Sequence, residues 1–358
     1  MPILRHTLIA AAALALATNA FATTVRIHYD AGKSNLMVRA DKGPMTWAKG
    51  APAAAAGGNV WVYTWPDALG DITMKPSLGE DRVSFGGTYR LAAGSTVDIY
   101  PFFGAPFGKV SIIDGFESPQ LKNKRNLRIY LPPSYQENAA KRYPVLYMHD
   151  GQNLFDAKSA AYGVEWGIDE TVNRLIATGK LDEIIVVGID NTPDRIPEYT
   201  PCCDPKYGGG KLDGYRAFIV DTLKPYIDKT LRTLPGKEST AIMGSSLGGV
   251  ASVAIAQRHP EVFSKAGGVS SSFWWNKKGM ITALPARVPV NFYIDAGTKD
   301  DGLEDTVGMR DAMLAKGYRD GVDLMFYSAD GASHNEKSWA ARVEKPLLWF
   351  FPWSGGKN

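Results

Sequence analysis

The sequence is poor in the residues that build metal centres. Its 358 residues include only two cysteines and five histidines, and no Cys or His pair falls at ligand spacing, so no zinc site is expected. Long apolar runs are scarce as well. The stretch Leu8–Ala17, within the opening "MPILRHTLIAAAALALATNAFA", falls short of the roughly 20 residues a membrane helix needs, and no later run reaches that length. Basic residues form no stripe; beyond "KNKR" at 122–125 they are scattered, and the formal net charge is only +3. A nucleic-acid partner is therefore not expected. Internal repeats are missing, and low complexity is confined to the alanines at 51–56.

What is present begins with an export signal. A basic start (Arg5, with His6 beside it), the short apolar run and Ala20-Phe21-Ala22 make the pattern a signal peptidase reads, which places the mature start near Thr23 and the protein outside the cytoplasm, periplasmic or secreted. Loss of Arg5 would leave a net charge of +2. No cysteine follows the run, so lipid attachment there is not expected. The two cysteines are neighbours, Cys202 and Cys203 in "TPCCDP". In an oxidising compartment a vicinal disulfide, two free thiols and an intermolecular bridge are all open.

Two patterns divide the mature chain. Residues 23–106 carry short, partly alternating runs ("VRIHYD", "NLMVRA", "VWVYTW", "ITMKPS", "STVDIYPFF") between turn-rich pieces such as "DAGKSN" and "KGAPAAAAGG". This predicts a small all-β sandwich. From 107 to 358 strand patterns ("RNLRIYLPPSY", "YPVLYMHDG", "EIIVVGID", "STAIMGS", "FSKAGGVS", "VNFYIDAG", "VDLMFYSA") alternate with helical ones. The helical stretches are "VEWGIDETVNRLIATG", "DGYRAFIVDTLKPYIDKTL", "LGGVASVAIAQRH", "LEDTVGMRDAMLAKG" and "SWAARVEKPLLWFF". Such alternation predicts an α/β fold, a doubly wound and mostly parallel sheet with functional groups at the carboxyl ends of its strands.

One such end carries "STAIMGSSLGGVAS". The pattern G-x-S-x-G fits only with Ser246 at its centre, between Gly244 and Gly248; centring it on Ser245 would require glycine at Met243 and Leu247. The spacing has a steric cause, because a serine on a sharp strand-to-helix turn leaves no room for side chains two positions away. Ser246 is the candidate nucleophile, and the Leu247 N–H at the start of the next helix is a candidate oxyanion donor.

A serine hydroxyl needs a positioned base, expected later in the chain and preceded by an acid. Two histidines follow Ser246. His259 in "QRHPEVF" ends a helix, where a capping role fits. His334 in "SADGASHNEKSW" lies in the loop after the last strand, where the base belongs. For the acid, Asp295 falls within a strand, and Glu304 and Asp305 open the next helix. Asp300 and Asp301 remain, with Asp300 favoured by its distance past the strand. A second oxyanion donor is expected from the N–H of Gly151 or Gln152, after "YPVLYMHDGQNLFD". His149 and Asp150 precede Ser246 and are expected to shape that loop.

Residues of about 110–354 resemble the esterase family of α/β-hydrolases that includes S-formylglutathione hydrolases, feruloyl and acetylxylan esterases, enterochelin-type esterases and mycolyltransferases. The matching pieces are "LPPSY", "YPVLYMHDGQNLFD", "EYTP", "GSSLGG", "IDAGTKDD", "HNEKSW" and "PLLWFF". The resemblance implies an α/β-hydrolase fold and a triad of Ser246, Asp300 and His334, with no cofactor. The amino-terminal part is similar to immunoglobulin-like or carbohydrate-binding-like domains, on "MTWAKG", "VWVYTW" and "GSTVDIYPFF". Its Trp47, Trp61 and Trp65 are candidates for sugar stacking, although core packing is the favoured role.

Two loops are expected to set specificity. Residues 191–212 carry Arg195, a candidate carboxylate ligand or an internal partner of Asp194 or Glu198, and Tyr199. "SSSFWWN" carries Trp274 and Trp275, candidates for the wall of an aromatic acyl pocket, with core packing of one or both the alternative. The chain therefore reads as a serine carboxylic-ester hydrolase acting through an acyl-enzyme on a small-molecule or glycan-linked ester, aromatic-acyl, carbohydrate-linked or siderophore in type. The alternatives are acyl transfer by the same triad and a non-catalytic glycan-binding protein on this scaffold.

Overall fold

The computed structural model describes residues 22–66 and 69–355. The leader expected over 1–22 thus lies, but for Ala22, outside the described residues. Strands from Thr23 to Ile99 form two facing sheets. One has the order Ala54–Gly57, Val60–Trp65, Thr23–His28, Thr96–Ile99; the other is built from Ala51–Pro52, Leu36–Ala40, Ile72–Leu78, Arg82–Val83 and Tyr89–Leu91. Period-two alternation turns Val25 and Ile27 inward and leaves Arg26 exposed. Trp65 is fully buried, its Nε1–H donating to Lys42 O at 3.2 Å, and Trp61 donates to Tyr29 O at 3.1 Å. Of these three tryptophans, Trp47 alone stands exposed.

The remainder is one eight-stranded sheet. Its strands are β1 (Lys109–Ser118), β2 (Asn123–Leu131), β3 (Val145–His149), β4 (Ile185–Ile189), β5 (Thr240–Ser245), β6 (Lys265–Val269), β7 (Asn291–Lys299) and β8 (Leu324–Ser333), in the spatial order β1-β2-β4-β3-β5-β6-β7-β8. The first two strands are antiparallel, and β3 to β8 run parallel. Successive residues feed opposite cores: Val145 and Tyr147 pack on one face, Leu146 and Met148 on the other. Strands buried on both faces in this way read as continuous apolar runs. The helix α1 (Ile168–Ala177) packs in one of these cores and α2 (Leu247–Arg258) in the other. Ten of the twelve α2 residues are buried, so α2 lacks a polar face.

Two helical stretches differ from their sequence patterns, both at a proline. Leu212–Thr230 contains a π-helical segment, Phe218–Leu223, just before Pro225, which has no N–H to give the carbonyl one turn back. "SWAARVEKPLLWFF" splits into Glu336–Ala340 and Glu344–Phe350, with Pro346 in the first turn of the second piece, where a missing N–H costs nothing.

The sandwich and the α/β part share contacts. Glu137 accepts hydrogen bonds from Tyr29 O–H at 2.6 Å and from the N–H groups of Phe103 and Gly104 at 2.7 and 2.8 Å. Phe102 belongs to the same buried cluster as Leu146 and Met148. Trp353, near the carboxyl terminus, donates to Thr88 O at 3.0 Å.

Candidate active site

Ser246 sits between β5 and α2 with φ 57° and ψ −121°, a conformation that costs a non-glycine residue about 1–3 kcal/mol. Its surroundings give the reason for the flanking glycines. A Cβ on Gly244 would lie 2.8 Å from the His149 ring and 2.9 Å from the Gly248 backbone, and one on Gly248 would lie 3.2 Å from His149 Cβ. His149, at the end of β3, is the wedge beneath the turn. Burial pushes its pKa down to about 3, and its Nδ1 lies 2.8 Å from Tyr215 O–H. The ring is buried and does not line the cleft.

Ser246 and His334 line the same open cleft of about 710 Å³. The His334 Nδ1–H donates to Asp301 Oδ1 at 2.7 Å, which turns Nε2 free for a second partner. The carboxylate paired with His334 is thus Asp301 and not the expected Asp300. Asp300 occupies the left-handed turn after β7 (φ 49°) with its side chain in solvent, whereas the next residue, Asp301, is buried. Burial alone would raise the Asp301 pKa. Hydrogen bonds from His334, Ser270 and the Gly297 N–H outweigh it and hold the carboxyl below its ordinary value. Gly297 is required here, because a Cβ would strike Ala332 O and crowd Asp301 Oδ2 at 2.9 Å. The other histidine after the serine, His259, pairs with Glu261 at 2.6 Å at the end of α2.

Leu247 is the first residue of α2, so its N–H has no carbonyl one turn earlier in the helix. Of the two other donor candidates, Gln152 lines the cleft and Gly151 does not. Gly151 is packed so closely that a Cβ would lie 2.6 Å from the Gly188 backbone. Ser272, which the sequence reading passed over, places its Oγ 3.1 Å from Ser246 Oγ. It belongs to a triple-serine run after β6 that carries no signal of its own.

The expected substrate ligands separate. Arg195 lines the cleft, but it pairs with Asp150 rather than Asp194 or Glu198, through Nε to Oδ1 at 2.7 Å and Nη2 to Oδ2 at 2.8 Å. Asp150 also accepts from Asn191 Nδ2 at 2.6 Å. Burial works against its charge, and Arg195 and Asn191 prevail to hold its pKa low. Glu198 is buried against Arg125 at 3.0 Å. Tyr199 is fully buried, its hydroxyl accepting the Asp150 N–H at 3.1 Å, so it supports the loop and does not line the cleft. Trp275 is buried, and Trp274, 41 % exposed, packs edge-on against Tyr207; neither lines the cleft, so the acyl wall expected of them is corrected. Apolar surface comes instead from Tyr162, 90 % exposed, with Val164 and Trp339. Cys202 and Cys203 are joined in a vicinal disulfide in the Tyr207 loop. Among the described residues, the acidic group Glu165, Asp169 and Glu170 is close enough to hold a cation, and no histidine or cysteine takes part in it.

A mostly parallel sheet flanked by helices and preceded by a small β domain gives the chain the α/β-hydrolase type of fold. The family described as Putative esterase matches residues 118–347, and this chain belongs to it. Among curated relatives, the uncharacterized protein YbbA of Bacillus subtilis (strain 168) is 25% identical over 262 residues, covering 68% of this chain and 98% of its own. An endo-1,4-beta-xylanase/feruloyl esterase of Xylanibacter ruminicola is 26% identical over 247 residues, 64% of this chain but only 30% of that protein. Among solved structures, a ferulic acid esterase superposes with a TM-score of 0.54 at 23% identity, over 68% of this chain and 98% of that one. The enterobactin esterase of Shigella flexneri gives a TM-score of 0.54 at 15% identity, over 88% of this chain and 87% of that one. At such identities the superpositions speak for the fold. No helix among the described residues is long and apolar enough to cross a membrane.

Proposed function

We propose that this esterase is a serine hydrolase that works through an acyl-enzyme, with Ser246 as nucleophile, His334 as general base and then acid, and Asp301 as the group that orients the imidazole. One observation carries the reading: a serine strained at the elbow shares a cleft with a histidine whose Nδ1–H is already bonded to a buried carboxylate. His334 Nε2 takes the Ser246 proton as Oγ attacks the ester carbonyl, and the Leu247 and Gln152 N–H groups receive the oxyanion. The protonated histidine then gives its proton to the leaving alcohol. Water repeats the sequence and releases the acid. The cleft's rim, aromatic at Tyr162 and polar at Arg195, Asn191 and Gln152, suits an ester that joins an aromatic acyl group to a hydroxylated alcohol. The feruloyl esterase name of one relative points the same way. Export rests on the leader pattern of residues 1–22, and the vicinal disulfide agrees with an oxidising compartment.

The test is labelling by a fluorophosphonate probe together with turnover of aryl, feruloyl, acetyl-sugar and catecholate-lactone esters. Ser246→Ala is expected to abolish labelling and to lower kcat by about 10⁴–10⁶. Retention of most activity would overturn the assignment, and failure of the native chain to label would favour the glycan-binding alternative. Ester products formed on added sugar acceptors would instead identify an acyltransferase.

A further inference from the structure

This inference rests on the serine-hydrolase reading above. Asp301 Oδ2, the oxygen turned away from His334, receives the Ser270 hydroxyl at 2.5 Å and the Gly297 N–H, with Arg342 Nη2 at 3.4 Å. Ser270 Oγ accepts in turn from Arg342 Nη2 at 2.6 Å and from Trp339 Nε1 at 2.9 Å. The same guanidinium grips a second carboxylate, Asp295, with Nε to Oδ2 and Nη2 to Oδ1, both at 3.0 Å. Tyr293 O–H adds a bond to Asp295 Oδ2 at 2.8 Å, and Arg342 Nη1 reaches Ser338 O at 2.9 Å. Arg342, Asp295, Asp301 and Ser270 are all buried.

A buried ion pair of this kind gains little net stability, because desolvation offsets most of the attraction. Its position is what matters. Burial raises the Asp295 pKa against the pull of Arg342 and Tyr293; with both carboxylates ionised, two face one guanidinium, and the network is short of one positive charge while His334 is neutral. The count balances when the imidazole takes the serine's proton. We propose that Arg342 is the positioning residue of the triad: through Ser270 it fixes Asp301 Oδ2, leaving Oδ1 for His334, and its charge keeps the two buried aspartates from drawing a proton on to the imidazole before substrate arrives. The other titratable groups on elements around His334 are Glu336 and Lys337 on its own side of the cleft, Lys299 and Asp300 at the end of β7 and Asp330 on β8. Across the cleft lies the Asp150–Arg195 pair. None of these hydrogen-bonds to the imidazole, whose carboxylate partner is Asp301.

The experiment follows the rate of fluorophosphonate labelling and of aryl-ester turnover from pH 5 to 9 in the full mature chain. A reaction that needs a free imidazole as its base loses rate on the acid side of its pH profile. Arg342→Gln removes a positive charge about two bonded contacts from the imidazole, so the acid limb is expected to move up by about one pH unit. kcat should fall roughly tenfold or more, with KM little changed. Arg342→Lys keeps the charge and should return the limb to its native position while kcat stays low. Ser270→Ala removes the relay and the direct bond to Asp301 Oδ2 but no formal charge, so it should lower kcat while moving the limb far less than Arg342→Gln does, and it carries the test if Arg342→Gln does not fold. An unmoved limb in folded Arg342→Gln, or native kcat in Ser270→Ala, overturns the proposal while leaving the triad intact. A native chain that resists labelling, or activity surviving in Ser246→Ala, overturns the triad itself and this inference with it.

Discussion

Asp301→Asn is expected to lower kcat by about 10⁴, because the amide presents an N–H to His334 Nδ1 and stabilises the wrong tautomer. Asp300→Asn, one residue away in solvent, should stay within a few-fold of native turnover. Equal losses in the two variants would remove Asp301 from the mechanism. Another carboxylate offers a test on stability. Asp169, in the first turn of α1, is pushed up to about 7, first by burial and then by the hydrogen bond and charge of Glu170. A carboxyl raised in the folded state favours folding while it holds its proton, and that advantage is lost as pH rises from about 4 towards 7. Asp169→Asn should therefore differ little from native in Tm at pH 4 and unfold at a higher temperature at pH 8. A Tm difference that does not vary with pH would show that Asp169 titrates normally.

At the scale of elements, the turn between β5 and α2 depends on space more than on the serine. Gly244→Ala places a methyl group against both His149 and the Gly248 backbone, and neither neighbour is the free end of a flexible chain. Overpacking of this kind costs about 1–3 kcal/mol. The variant should show a lower unfolding midpoint in urea with an unchanged slope, and labelling at Ser246 should be lost with it; a native midpoint would show that the turn can yield. This is also where the sequence was most legible. The glycine spacing pointed to Ser246, and the last loop pointed to His334, because sterics and chain order leave few choices. The acid was ambiguous because Asp300 and Asp301 share a turn. Their fates depend on one backbone conformation, φ 49° at Asp300, which two adjacent aspartates do not announce. Arg342 was hidden differently, as one charge in a helical stretch whose inward phase shows only once the helix breaks before Glu344. The edge strands were hard to see too. Ala51–Pro52 and Ala54–Gly57 lie in an alanine-rich piece that reads as a turn and becomes strand only by pairing with neighbours. β1 is exposed along most of its length, so burial imposes no alternation on it. Trp274 and Trp275 misled because size and aromaticity describe a core residue and a pocket wall equally well.

At the scale of the whole molecule, the sandwich and the α/β part should unfold together. Phe102 lies in the same buried cluster as β3, the carboxyl-terminal Trp353 reaches back to Thr88, and Glu137 satisfies three donors from the amino-terminal side at once. A linker carrying no such contacts would leave two independent domains. Glu137→Ala strands the Phe103 and Gly104 N–H groups and the Tyr29 hydroxyl in a part-buried seam. Each stranded donor costs about 1–3 kcal/mol where water cannot reach it. Partial access to water reduces the sum, and a net loss of about 3 kcal/mol corresponds to a fall in Tm of roughly 5 °C in a chain of this size. Calorimetry of the native chain should give one transition, and Glu137→Ala should lower it and begin to resolve a second, earlier one from the sandwich. Two transitions already present in the native protein would mean that the seam carries no coupling. Turnover of a small aryl ester should survive the substitution, since Glu137 stands outside the cleft that holds Ser246 and His334.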